Sequence, residues 1–278
     1  MNRSIILSIF LFFSVCFDSY SQRPLSIKEV RPIVDSVQLE IDRLYALALA
    51  KERAFELQLD NVSNTHNIDN HLTYIEGDTV KVLLFDKHKN IISTVCYSKL
   101  KMNLLFVDSK TDTLTQEEQK LLLAKKNSIK ILQKNKEVEI MNSSEIKTEF
   151  IFYPNNEGYS LYALTIPMID SILPYGNDYL LLLDHTMKEK SLTKLSIRFR
   201  IFKHITKRNG QDNTLEFLSV PSHLKSDFSS MAANFWKFRR YHHNLRLDSI
   251  DMRVYLRTFI YYPEHNEIEI YLFPNERH

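Results

Sequence analysis

The sequence predicts an α+β fold with a long N-terminal helix, an antiparallel sheet with two further helices, and a C-terminal β-hairpin. Residues 26–58 repeat apolar side chains every three or four positions without a glycine, which is the period of an amphipathic helix. After residue 148 the chain consists mostly of short apolar or alternating runs bounded by turn residues, which is typical of strands. No repeat or Pro- and Ser-rich linker divides the sequence. We therefore expect a helix and loop over 22–70 and a single α+β domain over 71–278.

Residues 1–21 have the composition of an export signal. Arg3 supplies a positive charge, the eleven residues Ile5 to Val15 are apolar or small, and serines at 19 and 21 offer a cleavage site. The run is shorter than the ~20 residues of a membrane span, so we expect a mature chain without a transmembrane span. The residues before Cys16 lack the pattern that precedes a lipidated cysteine, which disfavours lipid anchoring. The sequence therefore predicts export to the periplasm or the exterior.

The first half of the mature chain alternates helix and hairpin signals. Its predicted strands lie at 72–76, 80–85 and 91–97. Gly77-Asp78 and the polar stretch 86–90 separate them and favour turns. A second helix is predicted over 116–133, because Thr115 and Glu118 have the spacing of a capping box before an apolar series.

The second half is predicted to be mostly strands. They lie at 150–153, 159–166, 179–183, 192–202 and 215–220, with turns at 155–158 and 175–177. In strand 192–202 the apolar Leu195, Ile197, Phe199 and Ile201 alternate with Lys194, Ser196, Arg198 and Arg200. This pattern predicts one buried and one solvated face. A helix at 229–241 and a hairpin pairing 254–262 with 267–273 end the fold.

Composition excludes several chemistries. The chain has four glycines, and no two of them share a short loop, so a GxGxxG fingerprint, a Walker A loop and a GxSxG elbow are all absent. Once the signal is removed, Cys96 is the only cysteine, which rules out an intramolecular disulfide or a CxxC pair. The ten histidines form neither HExxH nor HxH. We therefore predict no cofactor and no assigned catalytic residue.

Charge asymmetry is the best functional signal in the sequence. Residues 188–257 hold 15 Lys and Arg against six Asp and Glu, although the whole chain has a net charge of +2. The candidate basic surface consists of Lys194, Arg198, Arg200, Lys237, Arg239, Arg240 and Arg246. Such a surface fits an acidic protein or a polyanion, or it pairs with the acidic first half of the same chain. Aromatic residues nearby also suit nucleic acid, but export disfavours that partner.

Several strings resemble a family of uncharacterised exported bacterial proteins over nearly the whole mature chain. They are Glu40 to Tyr45, Thr73-Tyr74, Leu114 to Glu118, Leu161 to Thr165, and Tyr175-Gly-Asn-Asp-Tyr-Leu180 with Asp184. The resemblance implies an exported α+β protein and supplies no chemistry.

The same family resemblance implies a layout similar to the zinc site of Jab/MPN-type (JAMM) metallopeptidases, where two histidines and an aspartate hold the metal. This chain has Ser219-Val220-Pro221 at the His-x-His position. It keeps Ser230 but has Ala233 at the position of the aspartate. We therefore predict an exported, non-catalytic binding protein of the bacterial envelope. The alternative is a metal-dependent hydrolase with a relocated site near His204, His223 and His242.

Overall fold

The structure is a computed structural model that describes residues 27–61, 68–88, 90–109, 113–196, 199–203, 214–218, 224–245, 249–254 and 257–272. Over these residues it contains three helices and 14 strands, which confirms the predicted α+β class. The helices are α1 (Ile27–Asn61), α2 (Gln116–Lys134) and α3 (Leu224–Leu245). The chain divides into two compact units, with the boundary between residues 35 and 36. Everything that follows concerns the second unit, apart from the bounds of α1.

The first sheet is an antiparallel meander. Its strands, in spatial order, are β1 (Asn70–Glu76), β2 (Thr79–Phe85), β3 (Ile91–Ser98) and β4 (Leu104–Asp108). Strand β2 is buried on both faces, since Leu83 and Phe85 join the core that contains α2, while Val80 and Val82 are buried on the opposite face. Helix α1 contacts the same region, because Arg53 Nη1 donates to the Met102 carbonyl at 2.6 Å.

The second sheet has the order β5, β6, β8, β9 and is also antiparallel. Its strands are β5 (Ile146–Asn155), β6 (Gly158–Pro167), β8 (Tyr179–Leu183) and β9 (Glu189–Lys194). Helix α2 packs between the two sheets, and Leu122, Ala124 and Leu132 form one core with apolar residues of both. Thr115 and Glu118 form the predicted capping box at the start of this helix.

The remaining strands form a pair and a third sheet. Strand β7 (Ile172–Tyr175) pairs with β10 (Arg200–Lys203), and the third sheet has the order β11 (Thr214–Leu218), β12 (Ser249–Val254), β13 (Arg257–Tyr262), β14 (Glu267–Leu272). Strands β11 and β12 are parallel, and α3 lies between them in the chain, as a parallel crossover requires. Phe235 of α3 stacks on Tyr261 of β13 at 4.9 Å between ring centroids.

The predicted strand 192–202 is wrong. Strand β9 ends at Lys194 and β10 begins at Arg200 in a different pairing, and the described residues between them, 195, 196 and 199, belong to no strand. Phe199 and Ile201, predicted to be buried, are 40% and 37% exposed. Apolar and polar side chains alternate across this break because the alternation depends on the local sequence alone. It does not indicate which strand the backbone pairs with.

Candidate functional site: an exposed sheet edge and a buried lysine cavity

Lys237, which was predicted on a basic surface, lies inside the protein. Its side chain is 2% exposed, and Nζ donates to Asp178 Oδ2 at 2.6 Å. Asp178 also accepts from the backbone N–H of Thr165 at 2.8 Å and from that of Gly176. Burial raises the pKa of Asp178 and lowers the pKa of Lys237, while their mutual attraction opposes both shifts. Lys237 is therefore part of the core and does not belong to a basic surface.

Arg239 and Arg240 pair with carboxylates of α1. Arg239 Nη1 lies 2.6 Å from Asp42 Oδ1, and its guanidinium stands 4.0 Å above the centre of the Tyr45 ring. Arg240 Nη2 lies 2.7 Å from Glu52 Oε2. These contacts join the basic second half of the sequence to its acidic first half, which is one of the three alternatives that the charge count left open.

The other predicted site residues do not form one patch. Lys194 and Arg200 are exposed, but they belong to strands of different sheets. His242 Nδ1 lies 3.2 Å from the Arg239 carbonyl, beside the ring of Phe238. Four further predicted residues, Arg198, Arg246, His204 and His223, lie outside the described residues. Within the described ranges, no group of three or more His, Cys, Asp or Glu side chains is placed to hold a metal ion.

Strand β4 forms an exposed apolar edge. Leu104, Leu105, Phe106 and Val107 are 48%, 52%, 53% and 43% exposed, so both faces of the strand carry large apolar side chains open to solvent. On its inner side β4 pairs with β3, where Phe106 lies opposite Cys96. In the part of the chain that the structure describes, no strand pairs with its outer side. The outward N–H and C=O groups of Leu104 to Val107 therefore face no described strand, and another strand can pair with them.

Two other edge strands differ from β4 in composition. Strand β9 carries Glu189, Lys190 and Lys194, and β14 carries Glu267 and Glu269. Charges on an edge strand oppose pairing with another chain, because the pairing would desolvate them. Strand β4 has no charge over its first four residues. Strand β4 therefore lacks the charges that oppose strand pairing, as expected of an edge strand that binds an extended peptide.

A second candidate site is a small cavity of about 20 Å³ that contains four ionisable side chains. They are Lys51 of α1, His71 of β1, Lys125 of α2 and Glu149 of β5. Lys51 Nζ is bonded to Glu149 Oε1. Lys125 Nζ donates to the His71 carbonyl at 2.7 Å and lies 3.2 Å from His71 Nε2. Lys51 is the most accessible of the charged side chains, with 24% of it exposed.

The cavity changes the ionisation of two of these groups. Burial, together with the charges of Lys51 and Lys126, lowers the pKa of Lys125 from 10.5 to about 7. Burial, together with the charges of Lys125 and Lys51, lowers the pKa of His71 well below its ordinary value. Near neutral pH, His71 is therefore uncharged and Lys125 is neutral in a large fraction of molecules. A neutral lysine amine is a nucleophile and a base.

Two polar atoms that line this cavity have no hydrogen-bond partner in the structure, Glu149 Oε2 and Thr73 Oγ1. Buried polar atoms are rarely left unpaired, so a bound group or water is expected to satisfy them. Sequence reasoning missed this site, although one signal was present. Lys125 follows Leu122 by three residues and precedes Leu132 by seven, which puts a charged residue on the apolar face of α2.

Comparison with protein-family models gives no matching family, and comparisons with curated proteins and with solved structures give no match. The resemblance to a family of exported proteins and the JAMM-like layout therefore stay predictions from the sequence. The structure adds that none of its described helices is long and apolar enough to cross a membrane.

Proposed function

We propose that the protein is an exported, non-catalytic binding protein of the bacterial envelope that binds an extended apolar segment of a partner protein at the outer edge of β4. The observation that carries the proposal is the run of four half-exposed apolar residues, Leu104 to Val107, on an edge with which no described strand pairs. The signal-like residues 1–21 support export.

The kind of ligand follows from the geometry of an edge strand. Its outward backbone groups are met best by another strand, which supplies a matching row of donors and acceptors. Side chains point alternately to the two faces, so Phe106 and Val107 present apolar surface on opposite sides of the sheet. A partner segment with apolar residues on both faces would cover both. A helix or a polar loop would leave the backbone row unpaired.

This proposal moves the contact surface away from the basic residues that the sequence suggested. Lys237, Arg239 and Arg240 already contact carboxylates of the same chain, so they are poorly suited to bind an external anion. Lys194 and Arg200 remain exposed. An acidic protein or a polyanion is therefore the second candidate partner, and its binding would weaken steeply with salt.

A peptide library displayed on phage tests the proposal. We expect the wild-type protein to select peptides rich in β-branched and aromatic residues and free of proline, because proline cannot donate to the ladder. The Phe106→Lys variant should bind the selected peptides at least tenfold more weakly, since it places a charge on the edge. Leu39→Lys is the matched control, because Leu39 has almost the same exposure at 52% but lies on α1.

Two results would overturn the proposal. One is a selection in which no peptide is enriched on the wild-type protein. The other is equal binding of the selected peptides by Phe106→Lys and the wild type. Retention on heparin that falls steeply with salt, without peptide selection, would favour the polyanion. Circular dichroism of each variant confirms that the fold is retained.

A further inference from the structure

The cavity between α1, α2, β1 and β5 places a lysine amine where a newly formed anion would be stabilised. The two charged side chains that act on Lys125 are Lys51 across the cavity and Lys126 on its own helix, and both are cations. The one carboxylate in the lining, Glu149, already pairs with Lys51. From β1, His71 contributes a carbonyl oxygen and an imidazole to the amine. Among the residues that the structure describes, Lys125 therefore has hydrogen-bond acceptors but no anionic partner.

We propose that Lys125 is a carbon dioxide-binding residue, whose amine forms a carbamate inside this cavity. The Lys125 nitrogen attacks the carbon of CO₂, so that an N–C bond forms and the electron pair of one C–O π bond moves to oxygen. The nitrogen releases one proton to His71 Nε2, which lies 3.2 Å away on an uncharged imidazole, and the proton passes from there to solvent. No oxidant or reductant is needed.

The size of the cavity restricts the reagent. The cavity measures about 20 Å³, so it leaves room beside the amine only for a reagent of two or three heavy atoms. The choice of CO₂ over a one-carbon aldehyde follows from charge. An imine adds no anion, whereas a carbamate adds a negative charge that is attracted by Lys51 and Lys126, the two cations that act on Lys125. The Thr73 hydroxyl, which has no partner in the structure, becomes a donor to a carbamate oxygen.

The protonation state of Lys125 favours the reaction near neutral pH. Only the neutral amine attacks CO₂. A pKa of about 7 in place of 10.5 increases the neutral fraction at pH 7 by about a thousandfold relative to an ordinary lysine. The titratable groups around Lys125 are Lys51 on α1, His71 on β1, Glu149 on β5 and Lys126 on α2, and of these Lys51 and Lys126 lower its pKa.

Carbon-13 NMR tests the proposal on the intact protein, because it needs no trapping reagent to enter the cavity. The protein is equilibrated with ¹³C-labelled bicarbonate at pH 8, and the carbamate signals are assigned by their loss in Lys125→Arg and in Lys126→Arg. We expect the Lys125 signal to be at least tenfold more intense than that of Lys126, which is exposed in the same helix. Below pH 7 the adduct on Lys125 should decrease as the amine becomes protonated.

Three controls make the result decisive. Unfolding in urea should remove the preference for Lys125, because the preference depends on the cavity. Lys125→Arg should abolish the adduct at this position and leave labelling of Lys126 unchanged. Lys51→Met should reduce the Lys125 adduct several-fold by removing the cation that stabilises it. Labelling of Lys125 no higher than that of Lys126 would overturn the proposal, and so would equal labelling in folded and unfolded protein, a comparison that needs no variant to fold.

Discussion

Two buried lysines of this protein show that the hydrogen-bond partner of a side chain determines whether it stays ionised. Lys237 is buried beside a carboxylate that receives two further backbone hydrogen bonds, so the pair supports its own ionisation. Lys125 is buried to a similar extent but is bonded to a carbonyl and an imidazole. Nothing at Lys125 offsets the cost of burying an ammonium, so its pKa falls to about 7. Lys237 is therefore suited to stabilising the fold, and Lys125 is suited to acting as a nucleophile or a base.

Replacing Lys237 with methionine should destabilise the protein strongly. The change leaves Asp178 buried without its cation, which costs about 3–5 kcal/mol in comparable cases. The free energy of unfolding in urea measures the loss. Lys194→Met is the matched control, because Lys194 is exposed at the end of β9 and its replacement should cost less than about 0.5 kcal/mol. A Lys237→Met variant as stable as this control would show that the pair contributes nothing.

Sequence patterns predicted single residues well where their partners are near in the chain. The capping box of Thr115 and Glu118 is confirmed because both members lie within one helical turn. The same Glu118 also accepts hydrogen bonds from Tyr74 and from Lys81, which lie on β1 and β2. Those two contacts form only when α2 packs on the first sheet. No local pattern contained them, and the same holds for the cavity around Lys125.

Helices and strands with a strong hydrophobic period were predicted from the sequence. Strands whose position depends on the neighbouring strands of a sheet were not. The three helices were found, and the second within one residue of its observed end. Strand β4 was missed because its four consecutive apolar residues do not alternate. Its role as an edge depends on the order of strands in the sheet, which the sequence does not display. The binding site that we propose at β4 could therefore not be predicted from sequence patterns.

The hairpin between β5 and β6 depends on a glycine. Gly158 has a φ of +138°, and a Cβ at this position would lie 2.1 Å from the Leu183 carbonyl oxygen on β8. We expect Gly158→Ala to destabilise the protein by roughly 3 kcal/mol or more, from backbone strain and from displacement of a neighbouring strand. Urea denaturation measures the effect.

Gly77 provides the matched control for Gly158. It also has a positive φ, at +58°, but a Cβ there would meet no atom within 4 Å. Gly77→Ala should therefore cost only the backbone strain, about 1–2 kcal/mol. Equal losses in the two variants would mean that the close approach between β6 and β8 is relieved easily, and that the strands are less tightly packed than the structure indicates.

For the whole chain, the uneven distribution of charge is partly balanced by contacts between distant segments. Arg239 and Arg240 reach Asp42 and Glu52 across nearly 200 positions of sequence. Lys51 of α1 makes the reverse contact with Glu149. A count of charges identified the basic region correctly, but it could not decide between an external anion and an internal one. The pairs of Arg239 and Arg240, whose carboxylates are half-exposed, contribute at most about 1 kcal/mol each, so they orient segments more than they stabilise them.

Export of the whole chain is a prediction that the sequence makes and that a reporter fusion tests. Residues 1–30 joined to a phosphatase that is active only outside the cytoplasm should give activity in a bacterial host, and the processed product should begin at Gln22. Leu11→Arg places a charge in the middle of the apolar run, which costs about 2.5–3.5 kcal/mol on insertion, and should reduce activity at least tenfold. The control Leu25→Arg lies beyond the run and should have no effect. An unprocessed, inactive wild-type fusion would contradict export and remove the envelope from the proposed function, while leaving the binding edge of β4 to be tested by itself.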